Sequence, residues 1–127
     1  MSQGFGDTRT IPASDQAKKY MKQLVAHGIF DEMRDVWRLG ASMGISMGQT
    51  LEAKDMGTFQ NVNSLDTEGI FVAVMVGLYP DLSSDELLKK LVGHAEWGIR
   101  EIHRRHQNGT LDWATIGMRP KKNVPGK

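Results

Sequence analysis

The chain has no cysteine in its 127 residues, which excludes a disulfide framework, a thiolate metal site and a thiol nucleophile together. No apolar run approaches the roughly 18 residues of a membrane span. The opening Met1 to Asp7 lacks the basic and apolar regions of a signal peptide. A soluble, cytoplasmic protein without a membrane partner is therefore expected. There is no Ser-His-Asp order, no glycine-rich phosphate loop after a strand, no convincing carboxylate pair and no internal repeat. An enzyme is not expected, and neither is a cofactor. What remains is ordinary for a folded domain: 39% hydrophobic and 24% charged residues. The length suits one modest core, read as a single helical domain over 1–118 with a flexible basic tail over 119–127.

Net charge is only +1, but its distribution is uneven. Residues 1–50 sum to +1, residues 51–90 to −4 and residues 91–127 to +4. An acidic middle beside a basic C-terminal third predicts a surface with faces of opposite sign, or charges that neutralise each other between subunits.

Thr8 to Ile11 reads as a short polar strand truncated by Pro12. Ser14 is a good N-cap for a helix to His27, with Asp15 and Gln16 in its first turn. Ala17, Tyr20, Met21, Leu24 and Val25 recur at three and four, the signature of one buried face. Gly28 stops that helix, and Asp31 caps a second one. Its buried face is Met33, Val36, Trp37, Gly40, Met43 and Gly44. Two glycines inside a helix cost about 1 kcal/mol each relative to alanine, so close packing against a partner helix is expected along Gly40, Ala41 and Gly44. Met47 to Ser64 reads as an ordered loop with a short strand around Phe59. Asp66 starts a third helix through Ile70, Phe71, Val74, Met75 and Leu78, apolar nearly all round and so expected to be central. Ser83 and Glu86 form a capping box for a long fourth helix with a stripe from Leu87 to Ile102, ended by Asn108 and Gly109. Leu111, Trp113 and Ile116 form a coda that docks after it. The fold class is mainly α, with four to five helices and at most a short N-terminal β-ribbon.

Strand, helix, Gly-x-Phe turn and helix is the order of a ribbon-helix-helix half-dimer. In that arrangement strands of two subunits pair and enter the major groove. Thr8, Arg9 and Thr10 would then meet DNA, although alternation turns Arg9 inward if Ile11 is buried. The other reading is a capped arm lying on the first helix. Against phosphate binding at the second helix stand Asp31, Glu32 and Asp35 at its N-terminus, where an anion site would need free amides. The basic cluster Arg100, His103, Arg104, Arg105 and His106, with Arg119, Lys121 and Lys122 beyond, fits phosphates. It equally fits simple complementation of a helix C-terminus. His103 and His106 stand one turn apart without a third ligand, so no metal is expected. His94 falls beside the apolar stripe as a hydrogen-bonded core or interface residue.

The segment ASDQAKKYMKQLVAHGIFDEMRDVWRLGASMGI resembles ribbon-helix-helix proteins. Over roughly residues 10–105, GIFDEMRDVWRLGASMGISMG, the mid-chain loop and LVGHAEWGIREI resemble a small accessory protein of the Dnd DNA-phosphorothioation systems. That resemblance implies an accessory role in a DNA-modification or anti-phage locus, with no chemistry to carry over. The expectation is a non-enzymatic, DNA-associated homodimer or larger homo-oligomer whose DNA contacts are Thr8, Arg9, Thr10, Arg100, Arg104, Arg105, Lys121 and Lys122. The alternative is an interaction subunit of a larger protein complex without DNA contact, presenting the Gly40/Ala41/Gly44 face.

Overall fold

Three amphipathic segments become helices and supply most of the core. The computed structural model describes residues 9–111. Their order is strand β1 (Thr10–Ser14), helix α1 (Asp15–Ala26), helix α2 (Met33–Met47), strand β2 (Met56–Asn61), one-turn helix α3 (Val62–Leu65), helix α4 (Ile70–Leu78) and helix α5 (Ser84–Gln107). Five helices and one two-stranded antiparallel sheet agree with the mainly α class and the short N-terminal strand.

Ser14 caps α1, its Oγ accepting from the Ala17 N–H at 3.0 Å. Ala17, Met21 and Leu24 form its buried face. Gly28, at φ 77, turns the chain, a backbone setting that side chains other than glycine seldom adopt. The Ile29 N–H then donates back to Leu24, and Phe30 packs in the core. The cap of α2 is Glu32, with no side-chain capping bond, one residue beyond the expected Asp31. The capping box of Ser83 and Glu86 is present at the start of α5.

The antiparallel pair α2 and α5 is the most extensive contact in the fold. Gly40 faces Gly98 and Ile99, while Gly44 faces His94. A Cβ at Gly40 would lie 2.8 Å from the Ile99 nitrogen, and one at Gly44 or Gly98 would overlap a backbone carbonyl of the facing helix. The expected helix partner is thus α5 of the same chain. The Gly40/Ala41/Gly44 face is covered from within and is not free for another protein. Three helical glycines forgo about 1 kcal/mol each. The approach they permit buries Val36, Trp37, Leu91, Ile99 and Ile102 almost completely, each contributing about 1.5–3 kcal/mol. Burial wins.

Expectations for two elements change. The strand lies a little later than Thr8–Ile11, and its ladder partner is β2 of the same chain, pairing Thr10 with Asn61 and Ser14 with Met56. Pro12 does not end it; the register shifts between Ile11 and Pro12, which accommodates a residue without an N–H. The third long helix starts at Ile70 rather than Asp66, after the separate turn α3. Asp66 caps it from a distance, its carboxylate accepting from the Phe71 and Val72 N–H groups. This helix is not central. Only Met75 is buried, while Ile70, Val74 and Leu78 are exposed.

Gly98→Ala should lower the unfolding free energy by about 1–3 kcal/mol or more, despite alanine's better helix propensity. Gly77→Ala, where an added Cβ meets nothing within 4 Å, should leave stability unchanged or raise it by up to about 1 kcal/mol. Urea unfolding of the two variants beside the parent measures both.

Candidate nucleic-acid interface

The predicted basic residues are distributed along α5 and its surroundings, and most have protein partners. Arg100 belongs to a buried node. Glu96 is 2% exposed and accepts from the Ser14 N–H at 2.9 Å, the Ser14 hydroxyl at 2.7 Å and Arg100 Nη1 at 2.7 Å. Ser14 therefore caps α1 while it is held by α5. A carboxylate is buried tolerably only when charge and hydrogen bonds both compensate it, and here both do. Arg100 is a structural counter-ion.

Arg104 and Arg105 share one carboxylate. Glu101 accepts from Arg104 Nη2 at 2.5 Å and from Arg105 Nε at 2.8 Å. The Arg104 bond, foremost, holds the Glu101 carboxyl below its ordinary range. At the other end of the helix, Arg9 pairs with Asp85 at 2.8 Å. Nineteen residues separate Asp85 from Arg104, roughly 28 Å along a helix. Arg9 and exposed Thr10 are thus not brought together with Arg104 and Arg105. Thr8, Lys121 and Lys122 lie outside the described residues, as do Arg119, Trp113 and Ile116 of the expected tail and coda; Leu111 packs partly buried against the core.

The unneutralised cations are elsewhere. Lys18, Lys19 and Lys22 stand on α1 away from its buried face, with Lys19 and Lys22 exposed. None of the three forms an ion pair among the described residues, and the same holds for exposed Lys54. The Lys18 ammonium lies beside Gly57 of β2. The carbonyl of Asp55, the residue after Lys54, accepts the Asp15 N–H at 3.2 Å. Together these place the outer side of α1 and the start of β2 on one surface. A signal for it is present in KKYMK, whose lysines recur opposite Ala17, Met21 and Leu24.

The start of α2 stays acidic. Glu32 pairs with Arg34, and Asp35 is buried with one oxygen 3.5 Å from Arg38 and the other without a hydrogen-bond partner. Arg38 itself donates to the carbonyls of Ser64 and Leu65, tying α2 to α3. Carboxylates fill the place a phosphate would take.

The histidines divide by environment. His94 is 1% exposed. Its Nδ1 lies 2.7 Å from the Gln49 carbonyl, which can only accept, so Nδ1 carries the proton. Nε2 then accepts from the Tyr79 hydroxyl at 3.1 Å. Burial pushes His94 below its ordinary value and outweighs the opposing Gln49 bond. His103 stacks on Tyr20 with ring centroids 3.7 Å apart, and its Nε2 lies 2.8 Å from Gln23 Oε1. It too is lowered, first by burial and then by the charges of His106 and His27. His106 instead meets His27, nitrogen to nitrogen, at 3.1 Å. The two α5 histidines therefore face different partners. Among the described residues no group of three His, Cys, Asp or Glu could hold a metal. An open cleft of about 880 Å³ separates β1, the 50–53 segment and the first half of α5. Of its charged residues, Arg9 pairs with Asp85 and Lys89 with Glu52. No helix of the described residues is long and apolar enough to cross a membrane.

The fold is similar to a solved structure, that of DndE from Escherichia coli B7A, described as involved in DNA phosphorothioation modification. The TM-score is 0.59 and the identity 22%, over 77% of this chain and 98% of that one. No family model and no curated protein matches the chain.

Two outcomes test this wiring. Glu96→Ala should cost about 3–5 kcal/mol, since it strands Arg100 and leaves the buried Ser14 N–H without its acceptor. For the histidines, a lowered folded pKa means that their contribution is complete above about 6.5, the unfolded value, and is lost as pH falls through the folded value. The urea midpoint should therefore drop between pH 7.5 and pH 5. His94→Gln, less stable at pH 7.5, should show a smaller further drop.

Proposed function

We propose that the chain is a non-enzymatic, DNA-associated accessory protein of a DNA-modification system. The observation that carries this reading is the lysine face of α1, Lys18, Lys19 and Lys22, extended by Lys54, none of which forms an ion pair among the described residues. Ammonium groups without carboxylate partners release counter-ions when they meet phosphates, and that release favours binding. The likeness of fold to DndE, whose description places it in DNA phosphorothioation, supports the kind of locus. Among the residues first expected to touch DNA, Arg104 and Arg105 contribute about one net charge beside Glu101, and Arg9 and Thr10 would add contacts near the start of α5; Thr8, Lys121 and Lys122 lie outside the described residues. Arg100 is spent on Glu96. This mode follows the backbone rather than reading base edges, so little sequence preference is expected. The rival role, an adaptor without DNA contact, loses its proposed surface because α5 already covers Gly40 and Gly44.

Titration of a duplex with salt tests the reading. Affinity should fall steeply with salt, and Lys18→Glu/Lys19→Glu/Lys22→Glu should abolish binding at moderate salt. Neutralising the three lysines to glutamine should reduce the slope of log K against log salt by about 0.9 for each phosphate that is no longer neutralised. Arg104→Ala/Arg105→Ala should have the smaller effect. Absence of duplex binding at low salt would overturn the proposal.

A further inference from the structure

Helices α1 and α5 run parallel and end side by side. Ser14 meets Glu96, Tyr20 meets His103 and His27 meets His106, so the contacts advance along both helices together. His27 is the C-cap of α1, and His106 lies in the last turn of α5. Each helix therefore brings the negative end of its dipole to this point, where a positive charge is favoured. The two imidazoles meet there nitrogen to nitrogen. His27 Nδ1 lies 3.1 Å from His106 Nε2, while the ring centroids are 5.3 Å apart. The nitrogens thus lie between the rings and point at each other, the geometry of an N–H···N bond.

Such a bond holds one proton between its nitrogens. Two neutral imidazoles make it when one donates and the other accepts. One added proton turns it into a charge-assisted bond, the stronger kind. A second added proton puts an N–H on both facing nitrogens, so neither can accept, and two like charges then stand in contact. Little around the pair offsets that second charge. No carboxylate pairs with either imidazole among the described residues. Glu101, the carboxylate nearest to His106 along α5, already holds Arg104 and Arg105. Asp31, the nearest to His27 in the sequence, follows the Gly28 turn. The other groups on these two helix ends are neutral or cationic: Tyr20, Lys22 and Gln23 on α1, His103 and Gln107 on α5. His103 feels the charges of both His106 and His27, and its own ring is taken up by Tyr20 and Gln23.

We infer that the His27–His106 pair is a proton-operated latch between the C-terminal ends of α1 and α5, closed by one proton between the facing nitrogens and opened when both imidazoles are charged. The latch tightens as the first added proton arrives and releases with the second. His27 is exposed and His106 half-buried, so protons reach the pair without unfolding. The Ile29 N–H stays on the Leu24 carbonyl and Phe30 stays in the core, so opening frees the end of α1 and not the whole helix. That helix carries Lys18, Lys19 and Lys22, and the latch sets whether the end of the lysine row is tied to α5. This inference does not depend on DNA binding.

A double-mutant cycle of the full chain is the test, with His27→Ala, His106→Ala and the double variant unfolded in urea from about pH 8 to about pH 4. His94 and His103 titrate in all four proteins, so their effects cancel and the coupling of the pair remains. That coupling should favour the folded state, reach roughly two- to tenfold in the unfolding constant at mildly acidic pH, and turn to repulsion by about pH 4. In the parent, the nuclear Overhauser contact between the two rings should be present at about pH 7 and lost by about pH 4. Contacts of the Met21 and Leu24 methyl groups should persist at both, which separates an open latch from an unfolded chain. Coupling that is absent at every pH, coupling that keeps its sign and size down to about pH 4, or a ring contact that survives there would each overturn the inference.

Discussion

The approach of α2 to α5 at Gly40, Gly44 and Gly98 is the constraint on which the rest of the fold depends. With side chains there, the two helices could not lie backbone to backbone. Around that seam the remaining pieces take fixed places. Thr50 and Leu51 lie along α5, the Leu51 N–H donating to the Gly93 carbonyl at 3.0 Å. His94 can reach Gln49 because Gly44 brings the end of α2 against it. Tyr79 in turn reaches His94, which secures the C-terminal end of α4. The chain thus builds outward from a seam where side chains are missing, and polar bonds bind the periphery to it.

Electrostatics follows from the same frame. The long helix α5 carries its own counter-ions, Glu96 for Arg100 and Glu101 for Arg104 and Arg105. A basic stretch in the primary structure therefore becomes a nearly neutral ridge. The lysines of α1 close no ion pair among the described residues, and along α1 they face only Asp15, one turn before Lys18 and Lys19. Net charge of a segment says little about the field at its surface until the side chains are paired.

Amphipathic helices are legible in residue spacing. The stripes of α1, α2 and α5, the Ser14 cap, the Ser83 and Glu86 box and the strand at Phe59 all lie where the pattern puts them, because each is local. The place of His94 as a hydrogen-bonded residue of the interior is legible in the same way. What spacing does not carry is non-local. No periodicity distinguishes a central helix from an exposed one when all nine residues are apolar, so the pattern of α4 points to the interior while the helix lies outside. The strand partner of Thr10–Ser14 lies 42 or more residues away in β2, and nothing local selects it over a second copy. Glu96 looks like any helical glutamate until Ser14 and Arg100 close on it. The sequence draws the candidate interface toward α5 for the same reason: the density of arginines is visible in it, and their neutralisation is not.

The bond between Ser14 and Glu96 has a consequence in time as well as in space. It joins residues 82 positions apart, so the cap residue of the first helix, whose own bond to Ala17 is local, is not anchored until most of the chain is available. Helices form quickly by themselves, but closure over such a separation is slow by comparison. During synthesis, β1 and α1 emerge early and must wait for β2 and then for α5 before either is complete. The contacts that complete β1 and anchor the start of α1 thus depend on segments made later, although these residues are made first.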